Sequence, residues 1–351
     1  MKVTNLTVIY LFAFALAFVT CVPQEVQAKT SSTTKTSANS TKKTVNKSTK
    51  STKSSKYSKY TNKKSAKRKA SSVPADNYAA LVVDANTGRV LYEKNAGATR
   101  YPASLTKMMT LYLTFDALKR GKLSLDQGMA VSAKAASQPA TNISLKTGDR
   151  LPVRKAIESL VVRSANDAAV VLAEAIGQTE WNFGLLMTQK ARELGMKSTI
   201  FRNPHGLPDS KQHTTAYDMA RLAIALRRDF PEYYKYFSTT EMSYNGVNYT
   251  THNRVLTRYQ GADGIKTGYI RASGFNLVTS AKRSGFNLVG VVMGGTSSSA
   301  RDQDMINLLD RTFAQLESQK NSMAGNNGGQ DDSSQLSMDG TEEVAFYKEN
   351  H

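Results

Sequence analysis

The chain has 351 residues, 40% of them apolar, and carries 47 Lys and Arg against 28 Asp and Glu for a formal net charge of +19. That length supports a sizeable core, and a single cysteine, Cys21, excludes a disulfide framework. No His-Glu-x-x-His stretch occurs, so a zinc hydrolase of that kind is unsupported; no metal or cofactor is expected.

In chain order, Lys2 precedes an apolar stretch from Val8 to Val19, and Val26-Gln27-Ala28 offers small residues for cleavage. Residues 1–28 therefore read as a signal peptide, placing the mature chain in the periplasm or outside the cell envelope. The apolar run is too short for a membrane span, so no transmembrane anchor is expected after cleavage. Residues 29–74 form a Ser/Thr/Lys linker, with 14 Lys and Arg and no acid between Lys29 and Ser72. Such a segment cannot bury enough surface to offset ordering entropy and is expected to be disordered. Its one-signed charge suits either a tether to anionic envelope polymers or a solvated spacer. Export, and only Tyr57 and Tyr60 as aromatics, argue against nucleic acid as a partner. Residues 319–351 read as a second disordered segment, this one acidic, which leaves 75–318 as one composite domain of mixed α and β.

Within that domain, Ser104 opens the run Leu105 to Leu118, closed by Gly121. Leu105, Met108, Met109, Tyr112, Phe115 and Leu118 recur at helical spacing, which predicts a core-facing helix with Ser104 and Lys107 on one face of its first turn. Other Ser-x-x-Lys copies at Ser32 and Ser40 have no apolar neighbours to hold them. Ser164-Ala165-Asn166 falls between helical runs at 156–162 and 168–176 and is a short connection. Lys-Thr-Gly occurs twice. Lys146 leads into a turn before a helix, whereas Lys266-Thr267-Gly268-Tyr269 lies on the first of three strands, over 264–270, 275–279 and 286–293. The apolar run from Met305 to Leu316 reads as an amphipathic helix behind them.

Three motifs in this order, on these elements, resemble the serine D-alanyl-D-alanine carboxypeptidases, the low-molecular-mass penicillin-binding proteins. The hairpin-like 81–92, the stretch Asn203-Pro204-His205-Gly206-Leu207-Pro208 and the stretch 214–220 are similar to that family as well. The resemblance implies a penicillin-binding-protein/β-lactamase-like transpeptidase fold, a mainly antiparallel sheet flanked by helices with a helical part over roughly 104–230. It implies peptidoglycan stem peptides as substrate and β-lactams as inhibitors.

The chemistry suits the residue types. An acyl-enzyme needs a serine that behaves as an alkoxide, and a desolvated lysine can accept its proton. On this reading Ser104 is the nucleophile, Lys107 its base, Ser164 a proton relay, and Asn166 the group holding Lys107 and the substrate amide. The resemblance puts the oxyanion site at the N–H groups of Ser104 and Tyr269, and the substrate carboxylate against Lys266, Thr267, Gly268 and Arg301. His205, His213, His252 and His351 read as loop or packing residues. Alternatives of other classes are a D-alanyl endopeptidase cutting cross-links, a β-lactamase and a non-catalytic wall-binding protein. No Glu-x-x-Leu-Asn segment follows Ser164 to serve a class A β-lactamase, and no motif residue is broken.

Overall fold

The computed structural model describes residues 77–326. The expected signal peptide, the basic linker and most of the acidic tail fall outside the described residues. Strand β1 (Ala79–Asp84) pairs antiparallel with β2 (Val90–Lys94). Helix α1 (Lys107–Lys119) follows, then β3 (Gly128–Ala130), α2 (Ala133–Ala136), β4 (Arg150–Pro152) and α3 (Val153–Glu158). Next come α4 (Asn166–Gly177), α5 (Glu180–Glu193), α6 (Ala216–Asp229), α7 (Pro231–Tyr234), the hairpin β5 (Glu241–Tyr244) and β6 (Val247–Thr250), and α8 (Arg254–Arg258). The meander β7 (Ala262–Ile270), β8 (Gly274–Arg283) and β9 (Phe286–Gly295) leads into α9 (Ser298–Asn326).

The principal sheet has the order β2-β1-β9-β8-β7, antiparallel throughout, so the helical part is an insertion between β2 and β7. Alternation along the strands supplies two cores. Ala79, Leu81, Val83, Val289, Val291 and Met293 face the helical part, while Ala80, Val82, Leu288 and Val292 face Met305, Leu309 and Phe313 of α9. This explains why β1 and β9 read as unbroken apolar runs: both faces are covered. The expected fold class, sheet, meander and first helix are all present. The prediction for α1 was of one apolar face, but the helix is buried nearly all round, Thr110, Leu111, Leu113 and Thr114 included. A helix enclosed on every side makes a centre for the helical part.

One boundary differs from expectation. Helix α9 runs on to Asn326, past the expected domain edge at 318. Leu316 is its last buried apolar residue, and Ser318 to Met323 are exposed. Gln, Lys and Met favour helix, so the helix continues on local propensity after its packing ends. Ending the chain after Ser318 is therefore expected to change unfolding free energy by no more than about 0.5 kcal/mol, as surface changes do. Phe313→Ala, which empties a fully buried site under the sheet, is expected to cost about 3–5 kcal/mol in the same urea titration.

Candidate active site

Ser104 lies in a 3-10 turn, Ala103–Thr106, that feeds α1. In such a turn side chains three apart eclipse one another, which sets Ser104 over Lys107 more closely than an α-helical turn would. The Lys107 Nζ is 3.3 Å from Ser104 Oγ. Neighbouring backbone is pressed against this turn. A Cβ on Gly268 of β7 would stand 3.0 Å from the Ser104 nitrogen, and one on Gly206 would stand 1.9 Å from the Ala103 carbonyl oxygen. Gly206 also has φ +86, so no other residue fits there without strain. Ala103 itself adopts φ 50, an uncommon conformation for a residue with a Cβ. Asn276 holds it there: its Nδ2 donates to the Tyr101 and Pro102 carbonyls at 3.0 and 3.2 Å, and its Oδ1 accepts from the Gly294 N–H at 3.0 Å.

Lys107 has no solvent exposure. Its Nζ donates to Asn166 Oδ1 at 2.8 Å and to the His205 carbonyl at 2.6 Å. Neither acceptor is charged. Burial, reinforced by the charge of Lys266 and opposed by Asp167, holds the amine well below the usual lysine range. A neutral amine has two hydrogens and one lone pair; with both hydrogens committed to carbonyl oxygens, the lone pair is left for the Ser104 hydroxyl. The arrangement can deprotonate a serine.

Ser164 follows a π-helical turn, Ser159–Arg163, and has the left-handed φ of 60. Its carbonyl is held by Thr141 Oγ1 at 2.8 Å, and its buried hydroxyl has no hydrogen-bond partner among the described residues. Asn166 opens α4, but its side chain bridges Lys107 and the Pro139 carbonyl, and α4 has no side-chain cap.

These residues share one cleft of about 350 Å³, lined by Ser104, Ser164, Asn166, Thr267, Gly268, Tyr269 and Arg301 among others. One wall is β7, the edge strand of the sheet. Lys266 does not line the cleft; it is enclosed, donates to the Thr267 carbonyl at 3.0 Å, and is pushed down to about 7 by burial and then by Arg301. Arg301 is buried too, bonded to Asp302 at 2.9 Å and to the Asn276 carbonyl at 3.1 Å. Asp302 also pairs with Arg254 at 3.1 Å, so one carboxylate is divided between two guanidinium groups. Tyr269 is half-exposed and stacks on Phe275. Among the described residues no group of three or more His, Cys, Asp or Glu could hold a metal ion.

Two histidines read as packing residues line the cleft. His205 contributes through its backbone carbonyl, which leaves no residue-type signal in a sequence. His252 is held down to about 4 by burial, then by Lys266, Arg163 and Arg301, and is a neutral ring at neutral pH. Asn276 was also missed, since an amide inside a strand pattern reads as a solvated position.

Residues 61–297 match the D-alanyl-D-alanine carboxypeptidase family. The chain belongs to that family. It is similar to D-alanyl-D-alanine carboxypeptidase DacF of Bacillus subtilis, 33% identical over 72% of this chain and 66% of the relative. It thus spans just under two thirds of that relative's length. Among solved structures, DacD from Francisella tularensis superposes with a TM-score of 0.65 at 35% identity, covering 66% of this chain and 69% of that one. Penicillin-binding protein D2 from Listeria monocytogenes in its ampicillin-bound form superposes with a TM-score of 0.59 at 28% identity, covering 67% of this chain and 96% of that one. The family frame accounts for the sheet, the helical insertion and the cleft between them, and Asn276 is what ties the serine turn to that sheet. Asn276→Ala leaves the buried Gly294 N–H unpaired and removes a donor from the Tyr101 and Pro102 carbonyls, of which Pro102 keeps the Leu105 N–H; at about 1–3 kcal/mol for an unsatisfied buried group, a loss of about that size is expected on urea unfolding. The same variant is expected to react more slowly with penicillin, because Ala103 is then free to leave φ 50.

Proposed function

We propose that this chain is a serine-type D-alanyl-D-alanine carboxypeptidase that removes the terminal D-alanine from peptidoglycan stem peptides in the cell envelope. The observation that carries the reading is the enclosed Lys107 amine, bonded to two neutral acceptors and directed at Ser104 on the floor of a cleft walled by an edge strand. Family membership and the ampicillin-bound relative support it.

In the proposed sequence an extended peptide lies along the free edge of β7. Lys107 takes the Ser104 proton as Oγ attacks the carbonyl of the penultimate D-alanine. The oxyanion is held by the backbone N–H groups of Ser104 and Tyr269. Ser164, whose hydroxyl has no partner among the described residues, hands the proton taken up by Lys107 on to the departing D-alanine nitrogen, and the C–N bond breaks. Water, deprotonated by the same lysine, then cleaves the ester. Thr267, Gly268 and Arg301, with the Lys266 charge behind them, select a free terminal carboxylate. A penicillin would enter the same sequence and remain as the Ser104 ester.

Fluorescent penicillin is expected to label Ser104, with the label absent in Ser104→Ala and the fold retained by circular dichroism. Lys107→Ala is expected to acylate more slowly by about 10² to 10⁴, the usual contribution of general-base catalysis. Labelling that maps by peptide mass to another serine overturns the assignment. Digestion of pentapeptide monomers beside cross-linked dimers separates this activity from endopeptidase action: D-alanine release from monomers is expected, and cleavage of dimers alone contradicts it.

Lys107 must be neutral to act, so kcat/KM rises with pH through its lowered pKa. Lys266 must be charged to attract a carboxylate, so recognition is lost as pH rises through about 7 in the free enzyme. A peptide ending in a free carboxylate is expected to show that alkaline fall in kcat/KM. A C-terminal amide of the same peptide is expected to lack it; parallel profiles for the two would remove Lys266 from carboxylate recognition.

A further inference from the structure

The His205 carbonyl takes one of the two hydrogens of the Lys107 amine, so whatever holds that carbonyl helps to aim the base. The loop bearing it is closed by side chains. Asn203 Oδ1 accepts from the Gly206 N–H at 2.7 Å, and His205 Nδ1 accepts from the Leu207 N–H at 3.1 Å. With Nδ1 an acceptor, the ring proton sits on Nε2. Nε2 lies 3.1 Å from Glu180 Oε1, with the imidazole 6% exposed and the carboxylate 12% exposed. Glu180 is on the first turn of α5, where Thr179 caps the helix by accepting from the Asn182 N–H. Its second oxygen is pinned by Lys134 Nζ at 2.6 Å. A chain of contacts thus runs from α2 through α5 and the loop to the base.

We infer that Glu180 is a positioning residue for the base: by holding the His205 imidazole it keeps the His205 carbonyl on Lys107 Nζ, and so keeps the amine's lone pair on Ser104. The physical reason is that a buried Nε2–H cannot be left unpaired. Without Glu180 the imidazole turns to find another acceptor, and the loop backbone turns with it. Lys107 then loses one of the contacts that fix its rotamer. The carboxylate remains an anion throughout the working range, since the His205 hydrogen bond and Lys134 hold it down to about 2 against the effect of burial. The inference rests on the acyl-enzyme reading above, and the experiment separates the two.

The charged and titratable groups around the base are Lys266 from β7, Asp167 from α4, the His205 ring from the loop, and Glu180 and Lys134 behind it. Removing Glu180 lets the His205 carbonyl leave Lys107 Nζ, and losing that acceptor disfavours the ammonium form and lowers the Lys107 pKa. The acid limb of acylation should therefore move to lower pH while its plateau falls. A merely structural residue would lower stability and leave that limb in place.

The test follows the rate of acylation by a chromogenic β-lactam against pH in the full chain, per active site titrated with fluorescent penicillin. Glu180→Ala is expected to lower the plateau about 10- to 100-fold, the equivalent of one buried hydrogen bond, with the acid limb displaced downward. Glu180→Gln, which keeps an acceptor for Nε2–H, is expected to recover most of the plateau. Glu180→Asp keeps the charge but falls short by one methylene, and is expected to be slow as well; it serves if the alanine variant does not fold. Wild-type rates in Glu180→Ala or Glu180→Asp overturn the inference, as does a slow variant whose acid limb is unmoved and which Gln does not rescue. Failure of the parent chain to label at Ser104 would instead overturn the reading beneath it.

Discussion

The structure depends on keeping one lysine amine dry. An ammonium group in a low-dielectric interior is disfavoured strongly enough that it gives up its proton instead, provided no carboxylate arrives to pair with it. Lys107 meets that condition: its acceptors are an amide oxygen and a backbone carbonyl, and it is fully enclosed. Most of the helical part serves this enclosure. Helix α1 is buried on all sides, α4 brings Asn166, and the 203–207 loop brings the carbonyl. The sheet closes the remaining side, and the two glycines Gly206 and Gly268 let backbone come close to the turn that carries Ser104. Either glycine replaced by a larger residue would open the very space the lysine needs closed.

Local rules are broken at the proposed site, though not there alone, since Asn95, Ser144, Gln178, Asn245 and Ser284 also hold positive φ. Ala103 and Ser164 both hold left-handed φ values, and a π-helical turn precedes Ser164. Helix α4 begins without a side-chain cap, while α5 and α6 are capped by Thr179 and Thr215. The Asn that stands at the start of α4 is committed to Lys107. Each irregularity costs about 1–3 kcal/mol and persists only because its surroundings leave no alternative. Asn276 over-determines Ala103, and Thr141 with Asp167 over-determines the Ser164 segment: the Asp167 carboxylate accepts from the N–H groups of Ile143 and Leu145, each at 3.1 Å.

This distribution explains what could be read beforehand. Alternation and helical spacing are properties of side chains facing a core, so β1, β7 to β9, α1 and α9 were visible in the sequence, as were Ser104, Lys107, Ser164 and Asn166 as residue types in a recognisable order. A carbonyl carries no such mark, so the His205 acceptor was invisible. Asn276 sits in an apolar strand run and gave no sign of facing inward. The 3-10 turn was read as ordinary helix because the period of three and that of 3.6 do not diverge within four residues. The end of α9 was misplaced for the opposite reason: hydrophobic burial stops at Leu316, and helix propensity alone carries the backbone further.

Two lysines in one enclosed region cannot both be charged without strong mutual repulsion, so their titration belongs to the pair. What separates them is their surroundings. Burial lowers both amines, and a neighbouring cation adds to it in each case, Lys266 beside Lys107 and Arg301 beside Lys266. On the proposed mechanism Lys107 is the neutral amine and Lys266 the charged one, placed behind the wall where a substrate carboxylate would lie. Arg301 alone would serve that carboxylate poorly, because Asp302 already occupies its Nε. On that reading the same residue type supplies a base at one position and a cation at the other, and the assignment follows from which of the two an incoming anion can reach. Environments that push paired groups apart in this way mark the acid and base of a site more reliably than residue identity does.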